Sequence, residues 1–221
     1  MAQPPVLIVG AGPGDPGLLT LQGQRALAEA QLVVFDAEVP AALLELAPDS
    51  AERVLVAEGP DGVPPAAVPA LLATRAAAGL RVVRLVAGDA GASGAEAEAL
   101  AAAGVTFEVV PGVTPAVAAA AYAGIPARHA GLGARSAILD AADPAGLAAF
   151  DWRRVGRVAE TLLIPVAGAT LAAVVEGLIR GGRRPETPAA LIAEATTFRQ
   201  RTVTAPLGDL PSAARREGPP E

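Results

Sequence analysis

Five short runs rich in Val, Leu and Ile punctuate the first half of the chain: 6–10 (VLIVG), 32–35 (LVVF), 53–57 (RVLVA), 81–86 (RVVRLV) and 106–110 (TFEVV). None alternates cleanly between apolar and polar positions, the pattern of strands buried on both faces. Between them, at 18–30, 40–47, 65–78 and 94–103, apolar residues recur at helical spacing. Strands alternating with helices predict a parallel sheet with helices on its faces. Pro111-Gly112 breaks the alternation, and a helix is predicted from about 115 to 123, ended by Gly124-Ile125-Pro126. The second half is less regular. Strands are predicted at 136–140, 162–166, 189–193 and 200–204, with a helix at 169–180 closed by Gly181-Gly182. The pattern predicts an α/β protein of two domains, a parallel-sheet domain over 1–112 and a mixed-sheet α+β domain over 113–221. No internal repeat appears, and the polar tail "SAARREGPPE" is expected to fray.

Composition narrows this picture. The 221 residues are 52% apolar but only 3% aromatic, so the core must be Ala, Val and Leu, with few rings for stacking. A net charge of −6 argues against nucleic acid as a partner, and a polyanionic ligand would need a local basic pocket. Without cysteine there is no disulfide, thiolate nucleophile or Cys-based metal site, and the single His129 offers little for a metal. The start "MAQPPV" has no signal-peptide pattern, and the longest apolar runs, such as 113–127, contain Pro and fall short of the ~20 residues of a membrane span. A soluble, cytoplasmic protein with no metal and no membrane contact is expected.

The candidate chemistry begins in the stretch after the first strand, "GAGPGDPG". Gly10, Gly12 and the acidic Asp36 ending the second strand fit a dinucleotide-binding loop. The third glycine of that fingerprint is what lets the helix pack on the strand, and its position here holds Asp15, followed by Pro16. Both residues push the helix away and delay its start, leaving no helix N-terminus close enough for a phosphate. Close backbone approach to another small ligand is the better reading. Three further glycine turns follow predicted strands: Gly88-Asp89, Pro111-Gly112-Val113-Thr114 and Val166-Ala167-Gly168. Singly, each is an ordinary βα turn. Together they are expected to meet in one cleft between the halves, beyond the carboxyl ends of the strands.

In order along the chain, "VGAGPGDPGLLTLQGQRAL", "VVFD", "GLRVVRL", "AGVTFEVVPGVT", "AYAGIP" and "TPAALIAEATT" resemble the tetrapyrrole methylases. The likeness runs from residue 6 to about 207, and "AYAGIP" is most similar to the branch that methylates uroporphyrinogen III. The resemblance implies two α/β domains, S-adenosyl-methionine as methyl donor in the cleft between them, and a homodimer. It implies methyl transfer to pyrrole carbons of a tetrapyrrole, giving precorrin-2 for sirohaem or cobalamin. By matching position, Pro13, Ala87, Gly88, Asp89, Ala92, Thr114, Pro115, Val166 and Ala195 would bind the donor, and Asp36 would be the proton acceptor. The competing reading of Asp36 is a cap for the helix near residue 40.

The departures from the family cluster on the acceptor side. The family's "GKR" reads "AEG", so Glu58 replaces the lysine assigned as proton donor. "GGDPFVFGRG" reads "AGDAGASGAE", and "LTHR" reads "ARHA", keeping His129 as a turn-stabilising residue and losing the Arg after it. "TGH" reads "DAA" at 140–142, and Val166 stands where the family has Met. Bidentate arginines are the natural recognition for a substrate with eight carboxylates. Arg84, Arg128 and Arg135 remain nearby, with two readings open: partial replacement of those cations, or, the reading preferred here, ordinary solvated charges. Two functions stay open: an active methyltransferase, or a member that keeps the fold and the donor site as a regulatory or partner subunit.

Overall fold

The computed structural model describes residues 3–131 and 133–218. The chain separates into two compact units, one ending at Pro115 and the other beginning at Ala116.

The first unit alternates strand and helix. It runs β1 (Val6–Gly10), α1 (Leu21–Ala28), β2 (Leu32–Asp36), α2 (Ala41–Leu44) and β3 (Glu52–Val56), then α3 (Val68–Ala77), β4 (Val82–Val86), α4 (Gly94–Ala102) and β5 (Phe107–Val110). All five strands are parallel, in the order β3-β2-β4-β1-β5. From β1 the chain crosses to β2 in one direction, and from β4 it crosses to β5 in the other. Crossovers of this kind are right-handed, so opposite directions put their helices on opposite faces of the sheet. The two cores follow. On one face Leu27 of α1 and Leu43 of α2 pack with Val9, Val33, Val83 and Leu85. On the other, Leu72 of α3 and Leu100 of α4 pack with Ile8, Leu32, Val34, Val82 and Val86. Each of these buried side chains contributes roughly 1.5–3 kcal/mol of transfer free energy. The place where the crossovers part, between β1 and β4, is where open α/β sheets receive ligands.

The second unit continues with α5 (Pro115–Tyr122), β6 (Ser136–Ile138), α6 (Pro144–Leu147), α7 (Trp152–Val155), β7 (Thr161–Leu163), α8 (Leu171–Arg180), β8 (Pro188–Ala193), β9 (Arg201–Pro206) and α9 (Leu210–Arg216). Its strands form two separate pairs, β6–β7 parallel and β8–β9 antiparallel. Val174, Val175 and Leu178 of α8 centre its core with Ala141 and Leu207, flanked by Phe150 and Trp152 packed edge to face. The single-turn helices α6 and α7, absent from the hydrophobic pattern, are started by aspartates. Asp143 accepts from the Ala145 N–H, and Asp151 from the N–H groups of Arg153 and Arg154. The tail corrects the expectation of fraying. Residues up to Arg216 form α9, which packs on β9 and buries Leu210, Ala213 and Ala214, an apolar stripe at helical spacing inside a polar-looking segment. The last residues of that expectation, 219–221, lie outside the described residues.

Among the described residues no helix is long and apolar enough to cross a membrane. Beside the β6–β7 pair, Arg135 closes a fork on the exposed Glu160, its guanidinium 2.5 Å from one carboxylate oxygen and its backbone N–H 3.1 Å from the other. These hydrogen bonds, the side-chain one foremost, hold the Glu160 carboxyl down to about 2 and raise the Arg135 guanidinium. The fork is complete above the ordinary pKa of glutamate and is lost as pH falls through the depressed value. An NMR titration is expected to place the Glu160 midpoint at about 2. Arg135→Ala should return that midpoint to the usual carboxylate range, and an unmoved midpoint would show that the fork does not form in solution.

Candidate functional site

Three turns leave the carboxyl ends of β1, β4 and β5, and they touch through main chain. Beyond β1, Gly12 and Gly88 exchange hydrogen bonds, the Gly12 N–H to the Gly88 carbonyl at 2.9 Å and the Gly88 N–H to the Gly12 carbonyl at 3.0 Å. Gly112, after β5, completes the cluster. A Cβ on Gly10 would stand 2.6 Å from the Gly112 nitrogen and 2.8 Å from the Gly88 carbonyl oxygen, while one on Gly112 would strike that same oxygen. The Gly112 N–H also donates to Asp89 Oδ1 at 3.0 Å. Gly88 has φ of +72° and lies against the Pro115 ring, so it meets both reasons for glycine, left-handed backbone and close approach.

The stretch after Gly12 explains why no phosphate cradle forms. Asp15 takes the Gly17 N–H at 2.7 Å and starts a 3-10 turn over Pro16–Leu18. Thr20 then caps α1 by accepting the Gly23 N–H at 3.1 Å. The helix therefore begins at Leu21, well past the loop. The close-packing role expected of a third fingerprint glycine is filled by Gly23, where a Cβ would stand 3.0 Å from Val9 of β1.

This geometry brings most of the first unit's candidates together. Pro13 follows the Gly12–Gly88 bridge, Ala87, Gly88 and Asp89 form its other side, and Thr114 and Pro115 follow Gly112. Ala92 lies in the 3-10 turn Ala90–Ala92 that follows Asp89. Asp36 ends β2 and reaches the same turn, its Oδ2 accepting the Ala87 N–H at 2.9 Å. It does not cap the next helix, whose N-cap position is Pro40. Val166 and Ala195 belong to the second unit, on turns of different sheets. Val166 bridges Ala141 after β7, where the buried Thr170 donates to the Ala141 carbonyl and accepts the Ala167 N–H. Ala195 follows β8 between Glu194 and Thr196, two non-glycine residues with φ of 46° and 68°. Such strain persists only where surrounding contacts impose it, and it gathers at functional turns. No local signal announces it, since neither residue type favours that backbone. His129 is exposed and takes part in its turn through its carbonyl, which accepts the Gly133 N–H.

The residue most misjudged from sequence is Arg84. It is not solvated but 4% exposed, in the middle of β4. Its Nη2 donates to Asp36 Oδ1 at 2.6 Å, and its Nε and Nη2 lie on both oxygens of Glu96 at 2.9 and 3.0 Å. Burial works to lower the guanidinium's pKa, but the hydrogen bond and charge of Glu96 and the charge of Asp36 outweigh it and raise the pKa. The signal was available: an arginine inside "VVRLV", a strand covered on both faces, must be paired. One cation among the carboxylates of Asp36, Glu96 and Asp89 leaves the neighbourhood of the turns negative. Main-chain groups and carboxylates suit a small cationic ligand better than a phosphate.

A parallel sheet with glycine turns gathered at its switch point places the first unit among the doubly wound α/β domains. The chain belongs to the tetrapyrrole (corrin/porphyrin) methylases, S-adenosyl-methionine-dependent methyltransferases, whose family model matches residues 5–211. It is 42% identical to a sirohaem synthase of Tolumonas auensis over 95% of its own length. It spans about half of such relatives, 46% in that case. Among solved structures it resembles a uroporphyrin-III C-methyl transferase of Thermus thermophilus complexed with S-adenyl homocysteine, with 36% identity, TM-score 0.80 and 95% and 86% of the two chains covered. It also resembles a cobalt precorrin-4 methyltransferase of cobalamin biosynthesis, with 27% identity, TM-score 0.84 and coverage of 98% and 91%.

Because the turns meet through backbone, Gly112→Ala cannot be relieved by rotating a side chain. It is expected to cost about 1–3 kcal/mol in urea unfolding, the range of an overpacked site. Gly94→Ala is the control. Gly94 opens α4 with nothing within 4 Å of where a Cβ would stand, so that change should be neutral or stabilising. Equal stability of the two variants would contradict the main-chain packing.

Proposed function

We propose that this chain is an S-adenosyl-methionine-dependent C-methyltransferase acting on uroporphyrinogen III to give precorrin-2. The observation that carries the reading is the convergence of the turns at Gly12, Gly88 and Gly112 on the switch point of a tetrapyrrole-methylase fold. In this reading Pro13, Ala87, Gly88, Asp89, Ala92, Thr114 and Pro115 hold the donor, chiefly through main chain. Val166 and Ala195 are further donor contacts by resemblance to the family. The donor fits the charge of the turns, because its sulfonium is cationic and carries no phosphate. When bound, it supplies an electrophilic methyl group, so the chain's residues need only orient and desolvate it. Asp36, at the carboxyl end of β2, accepts the proton released after attack by the pyrrole carbon. Assembly as a homodimer belongs to the same reading.

A second reading is supported by the surroundings of Asp36 itself. One of its oxygens is already bound to Arg84 and the other to the Ala87 N–H, while the exposed Glu58 stands where the family has its proton-donating lysine. A chain with these features binds the donor without turning over and serves as a partner or regulatory subunit.

Calorimetric titration with S-adenosyl-homocysteine, followed by a labelled-methyl assay with uroporphyrinogen III, separates the two. Binding with label transfer is expected for the enzyme, and Asp36→Asn should then lower kcat by about 10²-fold or more, the range of general-base catalysis. Binding without transfer selects the second reading, and absence of binding removes both.

A further inference from the structure

A guanidinium inside a strand buried on both faces is a costly choice. Taking it out of water is repaid only by near-complete pairing, and well-packed apolar residues commonly give equal or better stability. Stability alone therefore does not account for it, and the hydrogen bonds indicate a further role. Arg84 grips Glu96 through two nitrogens, reaches Asp36 with Nη2 and gives Nη1 to the Leu85 carbonyl at 3.1 Å. Asp36 passes the connection on, because its second oxygen accepts the Ala87 N–H. Arg84 thus joins the end of β2, the first turn of α4 and the turn that leaves β4.

That turn is tied at three successive residues. Gly88 is held by Gly12 through backbone groups that no side-chain change removes, and Asp89 holds the Gly112 N–H with its own Oδ1 and no ionic partner of its own. The tie at Ala87 alone depends on an ionic chain, Arg84 to Asp36 to the Ala87 N–H. From these contacts we infer that Arg84 is a positioning residue. It orients the Asp36 carboxylate and, through it, sets the Ala87–Asp89 turn in its ligand-receiving form. The inference rests on the reading that this turn holds the methyl donor. Only a planar fork satisfies two carboxylates and a carbonyl together, so lysine, a point charge, does not replace it.

The test is titration of S-adenosyl-homocysteine into the wild-type chain, Arg84→Lys and Arg84→Ala, with circular dichroism to confirm folding. The folded lysine variant, which keeps the buried charge, is expected to bind about tenfold more weakly, and the alanine variant more weakly still. Added guanidinium ion should restore much of the alanine variant's affinity, while tetramethylammonium, with equal charge and no fork, should not. A purely structural arginine would change the melting temperature and leave the affinity of the folded variants alone. Affinity of Arg84→Lys equal to wild type, or equal rescue by both cations, overturns the inference. Should the alanine variant fail to fold, the lysine variant decides alone. If the wild-type chain binds no S-adenosyl-homocysteine, the donor reading itself has failed and this inference falls with it.

Discussion

The first unit depends on one contact, the meeting of three turns with no side chain between them. Gly10, Gly88 and Gly112 lie so close that a single methyl group would force backbone apart. Because β1 and β4 are parallel neighbours with crossovers in opposite directions, the connections leaving their carboxyl ends pass to opposite faces of the sheet. The glycines let these turns meet on bare main chain. Such a surface offers N–H and carbonyl groups at fixed spacing, where side chains would offer shape and mobility. Rigidity at this point is what a site needs when its ligand brings the reactive group and the protein's task is placement.

Charge is arranged around the same point. In the first unit Arg53 and Arg81 bind carbonyls and Arg75 binds Glu52, all beside the amino ends of the strands. At the carboxyl ends stand Asp36, Asp89, Glu96 and the exposed Glu58 and Asp61, with Arg84 the cation buried among them. This sorting favours a positively charged ligand at the turns. The same sorting disfavours a polycarboxylate on this edge.

Much of this was legible along the chain. Runs of Val and Leu at 6–10, 32–35 and 81–86 can be satisfied only by burial on both faces, and the helical spacing between them leaves little choice but a parallel sheet. The misfit of Asp15-Pro16 to a dinucleotide loop was likewise visible, because Pro and a capping Asp act locally. Helices α6 and α7 escaped notice because one turn is too short for periodicity, although each carries its aspartate cap. The tail was misjudged because its prolines and arginines hide the stripe of Leu210, Ala213 and Ala214.

Local rules act over a few residues, so the sequence by itself determined the elements, their alternation and the turns that needed glycine. Contacts between distant segments belong to tertiary structure. Arg84 and Asp36 are 48 positions apart, and Gly12 and Gly88 meet only because the order β3-β2-β4-β1-β5 makes neighbours of their strands. The left-handed turn at Glu194 and Thr196 is held by its surroundings against the preference of its own residues. Whether a charge is solvated or buried, and whether the glycine turns after β1, β4 and β5 touch, are questions of what the folded chain places nearby, and only the fold answers them.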